Sequence, residues 1–135
     1  MKHQNVMFFD FGDSGMISHN FYNFIPFDNL EPDSTGLYNI DIIIRYTDKC
    51  QLQYLPLKIE CSSFKLDSIS QFNLSVALFN DDNKNEGKGR FGFYESVTPL
   101  KIDVPFDEGL NIAVSTVEKD TQGIISLGLN CFKDK

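Results

Sequence analysis

An antiparallel β-sandwich of jelly-roll type, with about eight or nine strands in a single domain over residues 1–135, is the fold this sequence predicts. Three observations carry that reading. Apolar residues recur at period 2 in one segment after another, turn formers separate those segments at intervals of about 8 to 15 residues, and no segment sustains the i, i+3, i+4 spacing of an amphipathic helix. Each apolar stripe then needs another stripe to bury against, which two packed sheets supply.

In chain order, VMFFDF (6–11) is a short apolar run closed by the turn formers Gly12, Asp13, Ser14 and Gly15. MISHNFYNFIPF (16–27) is a second β-prone segment, with Pro26 marking an edge or an exit. The polar run DNLEPDSTG (28–36) is a loop. LYNIDIIIRYT (37–47) is the clearest strand of all: Tyr38, Ile40, Ile42, Ile44 and Tyr46 alternate with Asn39, Asp41, Arg45 and Thr47. It is expected at the centre of the fold, with Ile42 as a core anchor. After a turn at Thr47–Lys49 comes QLQYLPLKIEC, whose Leu55, Leu57, Ile59 and Cys61 share one face. Pro56 removes a ladder donor there and predicts an edge strand or a bulge.

SSFKLDSIS (62–70) reads as a connection with an irregular strand. The next strand turns Phe72, Leu74, Val76 and Leu78 inward, and DDNKNEGKG follows as a turn. RFGFYES and PLKIDVP place Phe91 with Phe93, then Leu100, Ile102 and Val104, on single faces, and Phe106–Gly109 turns the chain again. LNIAVSTV aligns Leu110, Ile112 and Val114, and IISLGLNCF closes the series after the polar EKDTQG.

Composition sets outer bounds. A net charge of -7 disfavours a nucleic-acid backbone as ligand. No apolar run approaches the roughly 20 residues that span a bilayer as a helix, and no secretory leader opens the sequence as it stands. Cys50 and Cys61 would lie more than roughly 30 Å apart if the strand between them rises about 3.3 Å per residue, whereas a disulfide needs less than about 7 Å. Cys131 shares parity with Ile125, Leu127 and Leu129, which favours burial as a small hydrophobe. Three free thiols are expected, a bridge from Cys131 to Cys50 or Cys61 being the alternative.

Several short motifs imitate chemistry and fall short of it. FGDSG (11–15) resembles a hydrolase nucleophile block with Ser14 as the nucleophile, but activation requires a base, and the only histidines are His3 and His19. GKGRFG (87–92) matches G-x-G-x-x-G, yet it runs into a strand rather than a helix whose N-terminus would receive a pyrophosphate; a glycine-rich hairpin or bulge is expected. Asp81, Asn83 and Asn85 have the alternate spacing of a calcium loop, but Glu86 and Gly92 stand where that loop needs glycine and glutamate. The tyrosines at 22, 38, 46, 54 and 94 would suit sugar stacking, although the inward parity of Tyr38 and Tyr46 favours core packing. No enzymatic activity, cofactor or metal is therefore expected.

Taken in order, the segments resemble the gliding-motility lipoprotein family GldH of the Bacteroidetes. The likeness covers FFDFGDSGMISHNFYNFIPF, YNIDIIIRYTDKCQLQYLPLKIE, SVALFNDDNKNEGKGRFGFYE and LNIAVSTVEKDTQGIISLGL. The family's Gly-Ile-x-x-Ile/Leu-Gly ending is matched by Gly123, Ile124, Leu127 and Gly128. The sequence departs from the family in lacking a tryptophan near Met16, and the leader and lipid-bearing cysteine would lie upstream of Lys2. The resemblance implies a non-enzymatic lipoprotein on the periplasmic side of the outer membrane, associated with gliding and type IX secretion through contacts with cell-envelope proteins. A cytoplasmic location is the alternative. Arg45 and the basic, glycine-rich hairpin carrying Lys88, Arg90, Phe91 and Phe93 are the candidate contact residues. A carbohydrate- or small-ligand-binding sandwich is the second reading of function.

Overall fold

The period-2 segments become strands in the computed structural model, which describes residues 4–11, 16–17, 21–24, 37–63, 69–79, 88–90, 92–105, 110–117 and 121–133. They are β1 (Gln4–Asp10), β2 (Met16–Ile17), β3 (Phe21–Phe24), β4 (Leu37–Thr47), β5 (Tyr54–Ser63), β6 (Ile69–Ala77), β7 (Lys88–Arg90), β8 (Phe93–Pro105), β9 (Leu110–Thr116), β10 (Thr121–Gln122) and β11 (Ile124–Lys133). No helix occurs among the described residues. Nine strands form two antiparallel sheets, ordered β1-β11-β4-β8-β7 and β3-β9-β5-β6, and β2 pairs with β10 apart from them. The pairings nest: β5 with β6 is enclosed by β4 with β8, that pair by β3 with β9, and all of them by β1 with β11. Nesting of this kind is a long hairpin rolled over on itself, the jelly-roll topology.

β4 occupies the middle of the five-stranded sheet, flanked by β11 and β8 along its whole length. Its alternation decides its place, because Ile40, Ile42, Ile44 and Tyr46 are all at most 1% exposed. They meet Leu55, Leu57, Ile59 and Cys61 of β5, Val76 of β6, and Ile112 and Val114 of β9 in one apolar cluster. Tyr46 buries its ring completely, and its hydroxyl donates to the Leu78 carbonyl at 2.8 Å, so the polar atom this ring carries into the core is satisfied.

Two expectations are corrected here. Pro56 marks neither an edge nor a bulge: β5 lies between β9 and β6, with no register shift in either pairing. The proline is tolerated because it sits just past the last β5–β9 pair, Leu57 with Thr116. Val117 N–H donates to the Pro56 carbonyl there, so the missing Pro56 donor faces the end of the ladder. In β11, a register shift between Ile124 and Ser126 turns Ile124 rather than Ile125 into the core, while Leu127, Leu129 and Cys131 keep the expected inward parity. RFGFYES and PLKIDVP meet in a single strand of 13 residues, β8. MISHNFYNFIPF supplies two short strands, β2 and β3.

All three cysteines are buried and free. Burial pushes the Cys61 and Cys131 thiols up to about 12 and also raises that of Cys50, which keeps all three protonated and unreactive at neutral pH.

Candidate protein-contact face

Cross-strand partners point to the same side of a sheet, so the register fixes what the five-stranded sheet shows on its outer face. One row runs Asp10, Ser126, Arg45, Glu95, with Lys88 the backbone partner of Glu95. The next runs Phe8, Gly128, Ile43, Val97, and a third runs Val6, Asn130, Asp41, Pro99.

At the crossing of the first two rows is a compact stack. A Cβ at Gly128 would collide with the Phe8 ring, so the absence of a side chain is what lets that ring lie on β11. The Arg45 guanidinium carbon stands 4.2 Å from the centroid of the same ring, and its Nε donates to Glu95 Oε2 at 2.9 Å. Both partners of this ion pair are about half exposed, at 49% and 42%, so pairing contributes little stability, on the order of 0–1 kcal/mol. Its effect is positional, because ring and carboxylate together fix the guanidinium in one orientation on the sheet.

Around the stack the face carries four exposed apolar side chains. Val6, Phe8, Val97 and Phe93 are 46%, 37%, 51% and 61% exposed, while Ile43, in the row between Gly128 and Val97, is buried. Ser126 Oγ and Asn130 Oδ1, on either side of Gly128, are buried without a hydrogen-bond partner.

Of the residues singled out in the sequence, Arg45 lies at the centre of this face and Phe93 at the start of β8, opposite Thr47. The β7–β8 hairpin sets Lys88 opposite Glu95 and Arg90 opposite Phe93, in rows continuous with Arg45 and Thr47, and Gly92 takes φ +79° in its turn. Phe91 lies outside the described residues, as do Ser14 with its GDSG stretch, both histidines, and Asp81, Asn83 and Asn85. No group of three metal-ligating side chains occurs among the described residues. Phe8, Glu95, Val97 and Gly128 were not among the predicted contact residues. A glycine inside the alternating run IISLGLNCF was the signal that another group approaches β11 closely.

A second feature is a cavity of about 360 Å³ lined by Asp48, Cys50, Gln51, Gln53 and Phe79. The Tyr94 hydroxyl donates to the Asp48 carboxylate, which raises the phenol pKa. Phe79 stands edge-on to Tyr46 and Tyr94, so one wall is a braced aromatic cluster.

By class, then, the molecule is an all-β jelly-roll sandwich, an assignment that rests on the nested pairing. No family model and no curated protein matches the chain. Among solved structures, the Eiger TNF from S. frugiperda aligns with a TM-score of 0.49 at 9% identity, covering 98% of this chain and 93% of its own. The PRD1 vertex protein P5 aligns at 0.48 and 9% identity, covering 98% and 96%.

Proposed function

We propose that this chain is a non-enzymatic domain of a cell-envelope lipoprotein, similar to the gliding-motility and type IX secretion family GldH, that acts through protein–protein contacts. The supporting observation is the outer face of the five-stranded sheet, where Val6, Phe8, Val97 and Phe93 are exposed around an oriented Arg45. Contiguous apolar exposure with an arginine and aromatic anchors at its centre is the composition of a protein-binding patch. A photoreactive amino acid placed at Val97, and at Asn73 on the opposite sheet, tests this in intact cells. Adducts to a defined envelope protein are expected from Val97 and not from Asn73, and Arg45→Glu should abolish them. Adducts from Asn73 alone would reject the assignment. The lipoprotein part is tested by the coding sequence upstream of Met1: a leader ending in a lipidated cysteine is expected, and a genuine start codon at Met1 would overturn it.

A second reading, a saccharide- or small-ligand-binding module, is favoured by the cavity beside Phe79, where a carboxylate and two amides adjoin an aromatic wall. Calorimetric titration with oligosaccharides tests it, and binding lost in Phe79→Ala would shift the function to that end.

A further inference from the structure

We infer that β1 pairs with β1 of a second copy across a two-fold axis, joining two five-stranded sheets into one continuous antiparallel sheet. The inference concerns the sheet edge opposite β7 and does not depend on the envelope reading.

Two strands end the five-stranded sheet, β1 and β7. β7 has three residues, two of them cationic, which is how an edge is protected against unwanted pairing. β1 has seven residues, QNVMFFD, with no lysine, no proline and no register shift along its pairing with β11. Of the two strands that end the other sheet, β3 has only four residues and β6 shows Gln71, Asn73 and Ser75 on its exposed face, whereas β1 shows Val6 and Phe8. Among the described residues no strand pairs with the far side of β1. A long, apolar, unprotected edge is a template for strand addition.

The phase of that edge is fixed. Phe11 N–H donates to the Ile125 carbonyl at 2.8 Å, in the same register as the β1–β11 pairs. Hydrogen-bonded pairs alternate along an antiparallel ladder, so Asn5, Met7 and Phe9 bond to β11. Val6 and Phe8 therefore present their N–H and C=O groups to the open side.

The occupant follows from the sequence of the edge itself. An antiparallel β1–β1 pairing centred on Met7 sets Val6 opposite Phe8 of the second copy and Phe8 opposite Val6. The open backbone groups of Val6 and Phe8 meet those of the second copy, and apolar residues meet apolar ones on the outer face. A register one residue away loses this, because it opposes outward-pointing residues to inward-pointing ones. The two outer faces become one surface, with Val6 and Phe8 of both copies side by side at its centre and both Arg45 stacks on show.

Amide hydrogen exchange resolved by residue, on the wild-type chain from micromolar to sub-millimolar concentration, is the test, with sedimentation equilibrium alongside. Dimerisation is expected, and with it a slowing of exchange at the Val6 and Phe8 amides by roughly tenfold or more, while Met7 and Phe9 stay protected throughout. Val6→Lys, which puts a charge opposite Phe8 of the second copy, should leave the melting temperature nearly unchanged and abolish both effects; Val97→Lys, on β8, should abolish neither. A monomer at every concentration would overturn the inference. So would a dimer in which the Val6 and Phe8 amides exchange as fast as in the monomer.

Discussion

Ile42 is the residue on which the fold leans most heavily, being fully buried in the strand at the middle of the larger sheet. Its truncation to Ala should cost about 2–5 kcal/mol in a denaturant titration, and a loss under about 0.5 kcal/mol would contradict its placement. Gly128 matters for the opposite reason. Any side chain there displaces the Phe8 ring, and with it the support of Arg45, so Gly128→Ala should disturb the contact face. The thiols give a pH signature. In the unfolded chain Cys61 and Cys131 ionise near the ordinary value of 9.0, whereas burial holds them to about 12 in the native state. The native state therefore keeps protons that the unfolded state releases, so their contribution is complete below pH 9 and is lost as pH rises toward 12. The loss should be about 1 kcal/mol per thiol per pH unit in that window. Urea midpoints measured up to pH 10 should fall less steeply in a Cys61→Ala, Cys131→Ala variant. An unchanged slope would mean that the thiols titrate alike in both states.

Strand by strand, alternation was a reliable guide wherever one face meets the core and the other meets solvent. It located β4 with its observed boundaries, and the inward sets of β5 and β6. It failed where a local irregularity resets parity, as between Ile124 and Ser126, because a bulge leaves the composition unaltered. Pro56 misled for a related reason: a proline shows that a donor is missing, but which side of the strand that donor would face depends on where the neighbouring ladder ends. The hairpin carrying Gly89 and Gly92 was legible, although its register with β8 was not. Lys88 and Arg90 belong to that edge, so replacing both with Ser should shift the melting temperature little while weakening partner capture. Unchanged capture would leave the hairpin a purely structural device.

For the whole molecule, a sandwich of jelly-roll type was readable from the count and spacing of strands, but which strands nest within which was not. Nesting is decided by pairings such as β1 with β11, which join residues at opposite ends of the sequence. The contact face was half legible for the same reason: Arg45 stood out within its own strand, whereas Phe8, Gly128 and Glu95 come from three others. A net charge of -7 on each copy opposes self-association, so added salt should strengthen the β1-paired dimer in sedimentation. Weakening would mean that attraction between charges drives it instead. Whether the outer face of the five-stranded sheet is covered by a partner in its native setting is measured most directly by cysteine accessibility. Val97→Cys and Asn73→Cys add one exposed thiol each to a chain whose own three are buried. With a membrane-impermeant maleimide applied to opened cells and to purified protein, Val97→Cys should be protected in cells and reactive when purified, while Asn73→Cys reacts in both. Equal reactivity of Val97→Cys in the two settings would contradict the assignment of this face.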